Sequence, residues 1–484
     1  MVMRSRMNSF FKNYRIPAII CIGLFTNVYA YGQKVWSLGE CVNYALDHNL
    51  TVKQNVLSVE LNKLDITHNQ ATMLPSLSAS GSNTYNFGRS VDPFSYTFTN
   101  QEIRSANVSL NGNLTIFNGF QLQNTLRLSK LDYQAGQHDL QKIKNDISLN
   151  VISNYLQVLY AKEQLSIAAN RVTESEKQKN KTKLLVDAGT MTKGNLLDAE
   201  SQLATEELNQ VTAESQFSNA RLTLIQLLEL DSAKDFSVEE PKAILPDSSI
   251  MKKSPEEIYH DAILNLPEIK SADIKVLSAQ KRLEIAKGAR YPHLSLFGSL
   301  SSGYSSTTSR FKSAHYNGYL PNGDVTSSGD TVFAPSTTTV FEKTPWRNQL
   351  DQNYSKSFGL SLSIPIFNGW STETSIRRAR INVLNTELSD EIARRQVYKS
   401  IQQAMNDAAA AQKKYIATQK SLDALSEAYQ YAQKRFDAGL TSSLEFLTAT
   451  NNLTRVKVEL LQAKYDYIFK IKILDFYAGK SILF

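Results

Sequence analysis

Two fourteen-residue stretches of this 484-residue chain share one pattern: NVSLNGNLTIFNGF at residues 107–120 and SFGLSLSIPIFNGW at residues 357–370. In each stretch apolar side chains alternate with small polar ones, and each contains the tetrapeptide Ile-Phe-Asn-Gly. Alternation with a period of two indicates a β-strand whose two faces meet different surroundings. Because the stretches lie 250 residues apart, we expect an internal duplication.

The duplication extends over most of the chain. Residues 37–52 resemble residues 254–269 at a shift of 217, whereas the tripeptide Asp-Ala-Gly recurs from Asp187 to Asp437 at a shift of 250. The difference predicts an insertion of 33 residues in the second copy, between about 300 and 350. This segment is rich in Gly, Pro, Ser and Thr and is expected to be a long loop. The expected organisation is a signal peptide at 1–32, a first structural repeat at 33–230, an equatorial linker at 231–253 and a second structural repeat at 254–484.

Four segments show the alternation, and their polar faces carry almost only Ser, Thr and Asn. A soluble half-buried sheet also alternates, but its polar face usually carries Lys and Glu, so the pattern favours membrane strands with lipid on one side and water on the other. Aromatic residues near the strand ends are typical of membrane interfaces. The expected strands are about 75–88, 105–117, 293–305 and 356–367, and the expected interfacial aromatics are Phe117, Phe120, Phe367 and Trp370.

Four strands cannot close a membrane barrel alone. An open sheet edge leaves backbone groups unpaired in hydrocarbon, and the smallest membrane barrels have about eight strands. A dimer would supply eight strands and a trimer twelve. Barrels of about eight strands are filled by side chains, so a conducting pore favours the trimer.

Very long helices follow the strands. A helix over residues 120–187 would reach on the order of 100 Å, and its apolar residues form two neighbouring stripes. Two stripes indicate a stave with a neighbour on each side, as in a helical barrel, while a multi-helix bundle explains one stripe better than two. Gly189 and Gly439 are expected to end helices with positive φ, and Thr192 and Ser442 or Ser443 to cap the returning helices. The expected long helices are about 120–187, 191–230, 370–437 and 442–478.

The net charge of +7 suggests nucleic-acid binding only until the N-terminus is considered. Four basic residues precede an apolar run at 16–30 that is too short to span a membrane but typical of a signal peptide, cleaved after Ala30 or Gly32. Cleavage would leave +3, so a nucleic-acid partner is not expected. Cys21, Cys41 and six His residues show no zinc-ligand spacing, and no catalytic motif is present. We therefore expect no enzyme, metal or cofactor.

At these residues the chain resembles the TolC family of outer-membrane efflux and secretion channels, on the repeated Ile-Phe-Asn-Gly and on the tips Asp-Ala-Gly-Thr and Asp-Ala-Gly-Leu. The family's tips usually have Val where this chain has Ala. The resemblance implies a mainly α fold with membrane β: a trimeric 12-stranded β-barrel in the outer membrane of a Gram-negative bacterium, continued by a periplasmic α-helical barrel. It also implies a passive duct, opened at its periplasmic tip by a periplasmic adaptor (membrane fusion) protein and an inner-membrane pump of the resistance-nodulation-division or ABC type.

The resemblance also implies site residues. The expected adaptor-docking residues at the tips are Asp187, Ala188, Gly189, Thr190, Asp437, Ala438, Gly439 and Leu440. The expected periplasmic aperture residues are Asn195, Asp198, Glu445 and Thr448. Three copies of the two carboxylates would form an acidic ring that favours cations, although acids in a first helical turn also suit the helix dipole as ordinary solvated residues. Four lysines near the first tip either latch the closed state, steer the adaptor or form a solvated face, namely Lys177, Lys179, Lys181 and Lys183.

Two other classes of protein remain as alternatives. A periplasmic adaptor also has long helical hairpins, but this interpretation leaves the four Ser-rich strands unexplained. A structural coiled-coil envelope protein would not need a duplicated helix–strand–helix order.

Overall fold

The computed structural model describes residues 35–100, 102–230, 236–240 and 248–480. The expected signal peptide at 1–32, with Cys21, lies outside the described residues, as does much of the expected linker at 231–253.

Both repeats run through two helices, a pair of strands, a long helix and a returning helix. The first repeat contains β1 (Val35–Trp36), α1 (Leu38–His48), α2 (Leu50–Ala71), β2 (Ser76–Asn86), β3 (Ser90–Val91), β4 (Phe98–Thr99), β5 (Ile103–Asn118), α3 (Gln121–Asp187) and α4 (Lys193–Leu227). Between the repeats lie β6 (Ser237–Val238) and a 3₁₀-helix (Ser248–Lys252). The second repeat contains α5 (Pro255–Asn265), α6 (Pro267–Gly288), β7 (His293–Ser305), β8 (Ser309–Val325), β9 (Thr331–Lys343), α7 (Trp346–Gln352), β10 (Ser355–Ser363), α8 (Ser371–Asp437) and α9 (Ser443–Tyr477).

The main sheet has four antiparallel strands in the order β10-β7-β5-β2. Its register places serines opposite one another across the whole sheet, as in the row Ser80, Ser109, Ser301 and Ser355. Apolar side chains lie on the other face, where Phe358 is 89% exposed and Leu77 is 75% exposed. Among the described residues β2 and β10 each have a strand partner on one side only.

The insertion in the second repeat is not a loop, and that expectation was wrong. Residues 309–343 form a β-hairpin of β8 and β9, followed by the short helix α7. The Gly, Pro and Ser content indicated a loop, but β-branched and aromatic residues such as Thr331 and Phe333 favour extended backbone. The turn between the strands includes Gly329 at a φ of 84°, so the glycine serves the turn while the flanking residues pair.

The helices form two tiers beside the long α3 and α8, which have 67 residues each. Next to the sheet, α2 packs on α3, and α6 lies between α3 and α8. Farther away, α4 returns along α3 and α9 returns along α8, and α9 also contacts α3. Within the described residues no helix combines the length and the apolar character that crossing a membrane requires.

Two hydrophobic cores lie where the tiers meet. One includes Tyr155 of α3, whose hydroxyl donates to the carbonyl oxygens of Glu239 (2.6 Å) and Trp36 (3.1 Å). Burial raises the pKa of Tyr155, so the hydroxyl remains a donor and ties the β1–β6 pair to α3. The first core includes Cys41, Val42, Ile152, Leu159 and Leu224, and the second includes Ile258, Ile269, Ile401, Ile471 and Leu474.

The tetrapeptide Ile-Phe-Asn-Gly lies where the chain passes from a strand to a long helix. The side-chain oxygen of Asn118 accepts from the backbone amide of Leu122 (3.3 Å), which satisfies one of the free donors at the start of α3. The next two residues, Gly119 and Phe120, have φ values of 67° and 62°, and this left-handed pair redirects the chain. Residues 368–370 repeat the same conformation before α8.

The two junction glycines give a matched test. A Cβ atom on Gly119 would lie 2.1 Å from the carbonyl oxygen of Gly288, whereas at Gly369 it would meet nothing within 4 Å. We expect Gly369→Ala to cost about 1–2 kcal/mol, the penalty of a left-handed residue. Gly119→Ala should destabilise far more, because it also forces the end of α6 away. Thermal unfolding in detergent checks this ranking, and equal melting temperatures would contradict it.

Candidate functional site

The two helical hairpins end in the same turn, at the residues expected from the sequence. In the first tip the amide of Gly189 donates to the carbonyl of Val186 (2.9 Å), and the amide of Thr190 donates to that of Leu185 (2.9 Å). This pattern is the Schellman motif, with Gly189 at a φ of 74°. Gly439, at 72°, makes the equivalent turn in the second tip. The Asp-Ala-Gly motif is therefore a helix stop in both repeats.

The returning helices begin differently. Ser442 caps α9, since its hydroxyl accepts from the amide of Glu445 (3.2 Å). Thr192 occupies the corresponding position before α4, but its side chain makes no capping hydrogen bond, so the expected cap is absent there. The carboxylate of Glu445 also pairs with Arg435 (3.1 Å) across the second hairpin and accepts from the hydroxyl of Thr441. Arg435 thus compensates the negative charge of Glu445 within the protomer.

An aromatic stack stiffens the second tip. The rings of Phe436 and Phe446 stack with their centroids 4.8 Å apart, and Tyr429 lies 5.9 Å from Phe446. Phe436 is buried. At the shift of 250 the first hairpin has Val186 and Leu196 in place of the two phenylalanines, so the two tips differ in packing although their backbones turn alike.

An ion pair joins the two hairpins just above the tips. The Nζ atom of Lys181 lies 2.6 Å from a carboxylate oxygen of Asp437, and both side chains are about half exposed. An exposed pair of this kind contributes about 0–1 kcal/mol. Of the four lysines near the first tip, Lys181 therefore has a carboxylate partner on the other hairpin, and Lys177 lines the same groove.

This groove is a cavity of about 340 Å³ between α3, α4, α8 and α9. Its wall is both charged and aromatic, which suits a partner that offers polar and apolar groups together. Its charged lining residues are Arg171, Glu174, Lys177, Lys181, Asp198 and Asp437, and its aromatic ones are Tyr429 and Phe446.

The expected aperture residues do not converge within one protomer. Asp198 lines the groove between the hairpins, whereas Glu445 and Thr448 line a separate concave surface with Asn452. Asn195 is half-buried in the first turn of α4, where its amide donates to the carbonyl of Thr192 (3.1 Å). A single protomer therefore does not bring the two carboxylates to one surface.

A buried ion pair in the first hairpin was missed by the sequence analysis. Arg171 of α3 and Glu206 of α4 lie 2.9 Å apart, and their side chains are only 10% and 6% exposed. Gln202 and Asn209 donate further hydrogen bonds to the Glu206 carboxylate. A comparison of the repeats could have indicated this pair, because the second repeat has Ser421 and Val456, which carry no charge, at the positions equivalent to Arg171 and Glu206.

The opposite end of the sheet is closed by a folded loop. Asp92, between β3 and β4, is fully buried and accepts hydrogen bonds from the hydroxyls of Ser305 and Thr307 and from the amides of Phe94 (2.9 Å) and Ser95 (2.7 Å). Burial alone would raise the pKa of Asp92, but these hydrogen bonds outweigh it and lower the pKa to about 2. The ionised carboxylate thus anchors the loop to the end of β7.

The expected interfacial aromatics surround the strand–helix junctions. Phe120 and Trp370 are the left-handed residues that precede α3 and α8, and both are largely exposed. The rings of Phe117 and Phe120 meet edge to face at 5.2 Å, and Phe367 is 78% exposed. The junctions therefore place three exposed rings and the half-buried ring of Phe117 between the strands and the helices.

The buried pair in the first hairpin yields a second prediction. Glu206→Val should destabilise the protein by about 3–5 kcal/mol, because it leaves Arg171 buried without its main partner. Arg171→Ser combined with Glu206→Val copies the second repeat and should recover most of this loss. Glu174→Gln, which removes the exposed partner of Arg171, is the matched control and should cost about 0–1 kcal/mol. Unfolding midpoints of the three variants check the ranking, and a double variant as unstable as Glu206→Val would contradict it.

Comparison with solved structures supports this architecture. The structure of CusC superposes with a TM-score of 0.73 at 17% identity, covering 97% of this chain and 99% of that chain. The outer membrane channel CmeC of Campylobacter jejuni superposes with a TM-score of 0.70 at 18% identity, covering 91% of this chain and 85% of that chain. At these identities the comparison shows the fold.

Sequence comparison shows the family. Toxin and drug export protein A of Aggregatibacter actinomycetemcomitans is 23% identical, covering 74% of this chain and 69% of its own length. Outer membrane protein TolC of Escherichia coli is 23% identical, covering 77% of this chain and 70% of its own length. The profile of the family described as "Outer membrane efflux protein" matches residues 41–229 and 258–479, one segment in each repeat. The chain therefore belongs to the outer membrane efflux protein family, whose members are channels and not enzymes.

Proposed function

We propose that this chain is one protomer of a passive outer-membrane exit duct, serving a tripartite efflux or type I secretion system of a Gram-negative bacterium. The observation that carries the proposal is the sheet: one face is apolar and exposed, the other is lined by hydroxyls and amides, and both edges lack a partner within the described chain. This sheet continues directly into 67-residue helices long enough to extend far from a membrane.

The duct is a homotrimer. The free edge of β2 pairs with β10 of a neighbouring copy, so that three sheets of four strands close into a barrel of twelve. Closure gives the backbone amides and carbonyls at the sheet edges hydrogen-bond partners. In hydrocarbon each of these groups, if left unpaired, would cost several kcal/mol. Outer-membrane lipid covers the apolar face, with Phe120, Phe367 and Trp370 at the interface.

The helical tips receive the partners. A periplasmic adaptor docks at residues 187–190 and 437–440, where the turns expose backbone and the adjoining groove offers charge and aromatic surface. The adaptor connects the duct to an inner-membrane pump of the resistance-nodulation-division or ABC type. The relatives are compatible with both an efflux system and a secretion system. Alkaline protease secretion protein AprF of Pseudomonas aeruginosa is 30% identical over 27% of this chain, and Toxin and drug export protein A matches over 74%.

Opening separates the hairpins at their tips. The Lys181–Asp437 pair joins the two hairpins in the described conformation, so it breaks when they move apart. Because the pair is exposed and weak, docking of a partner supplies enough energy to replace it.

The aperture consists of Asn195, Asp198, Glu445 and Thr448 from three protomers. Asp198 is the carboxylate that sets its charge, because Arg435 compensates Glu445. We expect Asp198→Asn to weaken cation selectivity in planar bilayers, measured as the reversal potential in a salt gradient. Glu445→Gln is the matched control and should change selectivity much less. Unchanged selectivity in Asp198→Asn would remove this residue from the aperture.

The proposed function is tested on the purified full chain. Mass measurement in detergent should give a trimer, planar bilayers should show channels, and affinity purification from envelopes should recover an adaptor and an inner-membrane transporter. A soluble periplasmic monomer would support the alternative of an adaptor or a coiled-coil envelope protein and would overturn the duct.

A further inference from the structure

One glycine interrupts the polar face of the edge strand β10. Along this face the strand reads Ser355, Ser357, Gly359, Ser361 and Ser363. The register places Gly359 opposite Phe297 of β7, while the neighbouring serines Ser357 and Ser361 lie opposite Ser299 and Ser295. The single break in the serine row therefore coincides with an aromatic ring on the adjacent strand.

Phe297 belongs to the polar face, not to the apolar one. Its partner on the other side is Asn113 of β5, which itself pairs with Ser76 of β2. Within the paired residues of the four described strands, Phe297 is the aromatic residue on this face, and His293 is its ionisable residue. Apart from Ile103, the buried first residue of β5, which pairs with Asn86, the remaining side chains of the face are hydroxyls and amides. The ring of Phe297 is therefore a large apolar group on a wall of mostly small polar ones.

The ring of Phe297 lies over Gly359. A Cβ atom on Gly359 would lie 2.8 Å from Cζ and 3.1 Å from Cε1 of the ring. The first distance is shorter than real Cβ atoms show, so the ring would have to move. Phe297 is 42% exposed, so the sheet covers more than half of it. The ring lies along the wall because glycine leaves room for it there.

The same contact occurs a second time on this face. A Cβ atom on Gly303 of β7 would lie 1.9 Å from Cζ of Phe94. Phe94 belongs to the loop that Asp92 anchors to Ser305 and Thr307. At two levels of the sheet, therefore, an aromatic ring on the polar side is seated on a glycine of the wall.

We propose that Gly359 sets the width of the bore, by seating Phe297 flat against the wall of the barrel. The inference rests on the proposed function, because only barrel closure turns the polar face into a lumen and brings three copies of the ring to one level. Any side chain at position 359 displaces the ring. The backbone ladder holds both strands in place and the sheet blocks movement outward, so the three rings move into the lumen and narrow it.

Single-channel conductance of the full-length protein in planar bilayers tests this inference. Gly359→Ala should lower the unitary conductance, and Gly359→Val should lower it further, because a larger side chain lifts the ring more. Phe297→Ala combined with Gly359→Ala should recover the loss and match Phe297→Ala alone, since no ring remains to be displaced.

Gly298→Ala is the matched control. Gly298 pairs with Phe358 on the apolar face, next to Phe297 along β7, and a Cβ atom there would meet only the carbonyl oxygen of Ser357 at 3.8 Å, an ordinary contact. Its conductance should equal that of the wild type, which separates a narrowed bore from a general effect of removing a glycine from the barrel.

The outcomes distinguish the two proposals. Wild-type conductance in both Gly359 variants would overturn the role of Gly359 while leaving the duct intact, whereas a wild-type protein without channels would overturn the duct itself. If the Gly359 variants do not assemble into trimers, and the double variant does not either, glycine is needed for folding and the role in the bore is overturned. A double variant that assembles but conducts less than Phe297→Ala would also count against it.

Discussion

The structure depends on one constraint: a backbone amide or carbonyl in hydrocarbon has no water to pair with. A four-stranded sheet with two free edges cannot meet this requirement inside one chain. In the proposed trimer, pairing of β2 with β10 of the next copy meets it and also fixes how many helices lie below the barrel. Because each strand pair continues into the long helices, closure of the sheet would also arrange these helices around the axis.

The strand–helix junctions connect the sheet to the long helices in both repeats. The two repeats differ in side chains where their surroundings differ. A Cβ atom on Gly119 would collide with the backbone of Gly288, whereas one on Gly369 would meet nothing within the described chain. The first hairpin holds Arg171 and Glu206 where the second has Ser421 and Val456. A duplicated sequence thus keeps the backbone turn in both copies, while each side chain adapts to its own neighbours.

Prediction from sequence succeeded where a local pattern has a local cause. Strict alternation produced the strands, and Gly189 and Gly439 ended the helices because only glycine readily takes the left-handed position of a Schellman turn. Prediction failed where the amino-acid composition indicated a loop but the segment pairs as strands. The insertion at 309–343 is a hairpin, since Thr and aromatic residues pair across it despite its Gly and Ser content. Thr192 has the residue type of a cap but makes no capping bond.

The sequence by itself determined the periodic features: two repeats, four two-faced strands, long helices and the glycine stops, because each follows from the geometry of a few consecutive residues. Only the tertiary structure decided which residues from different elements meet. Lys181 meets Asp437, Arg435 meets Glu445, and Phe297 lies on Gly359 across a strand pair. The expected aperture shows the difference, since Asp198 follows Gly189 by nine residues and Glu445 follows Gly439 by six, and within one protomer they line different surfaces. Such contacts depend on the register between elements, and register is set by the packing of the whole sheet and of the helices against one another.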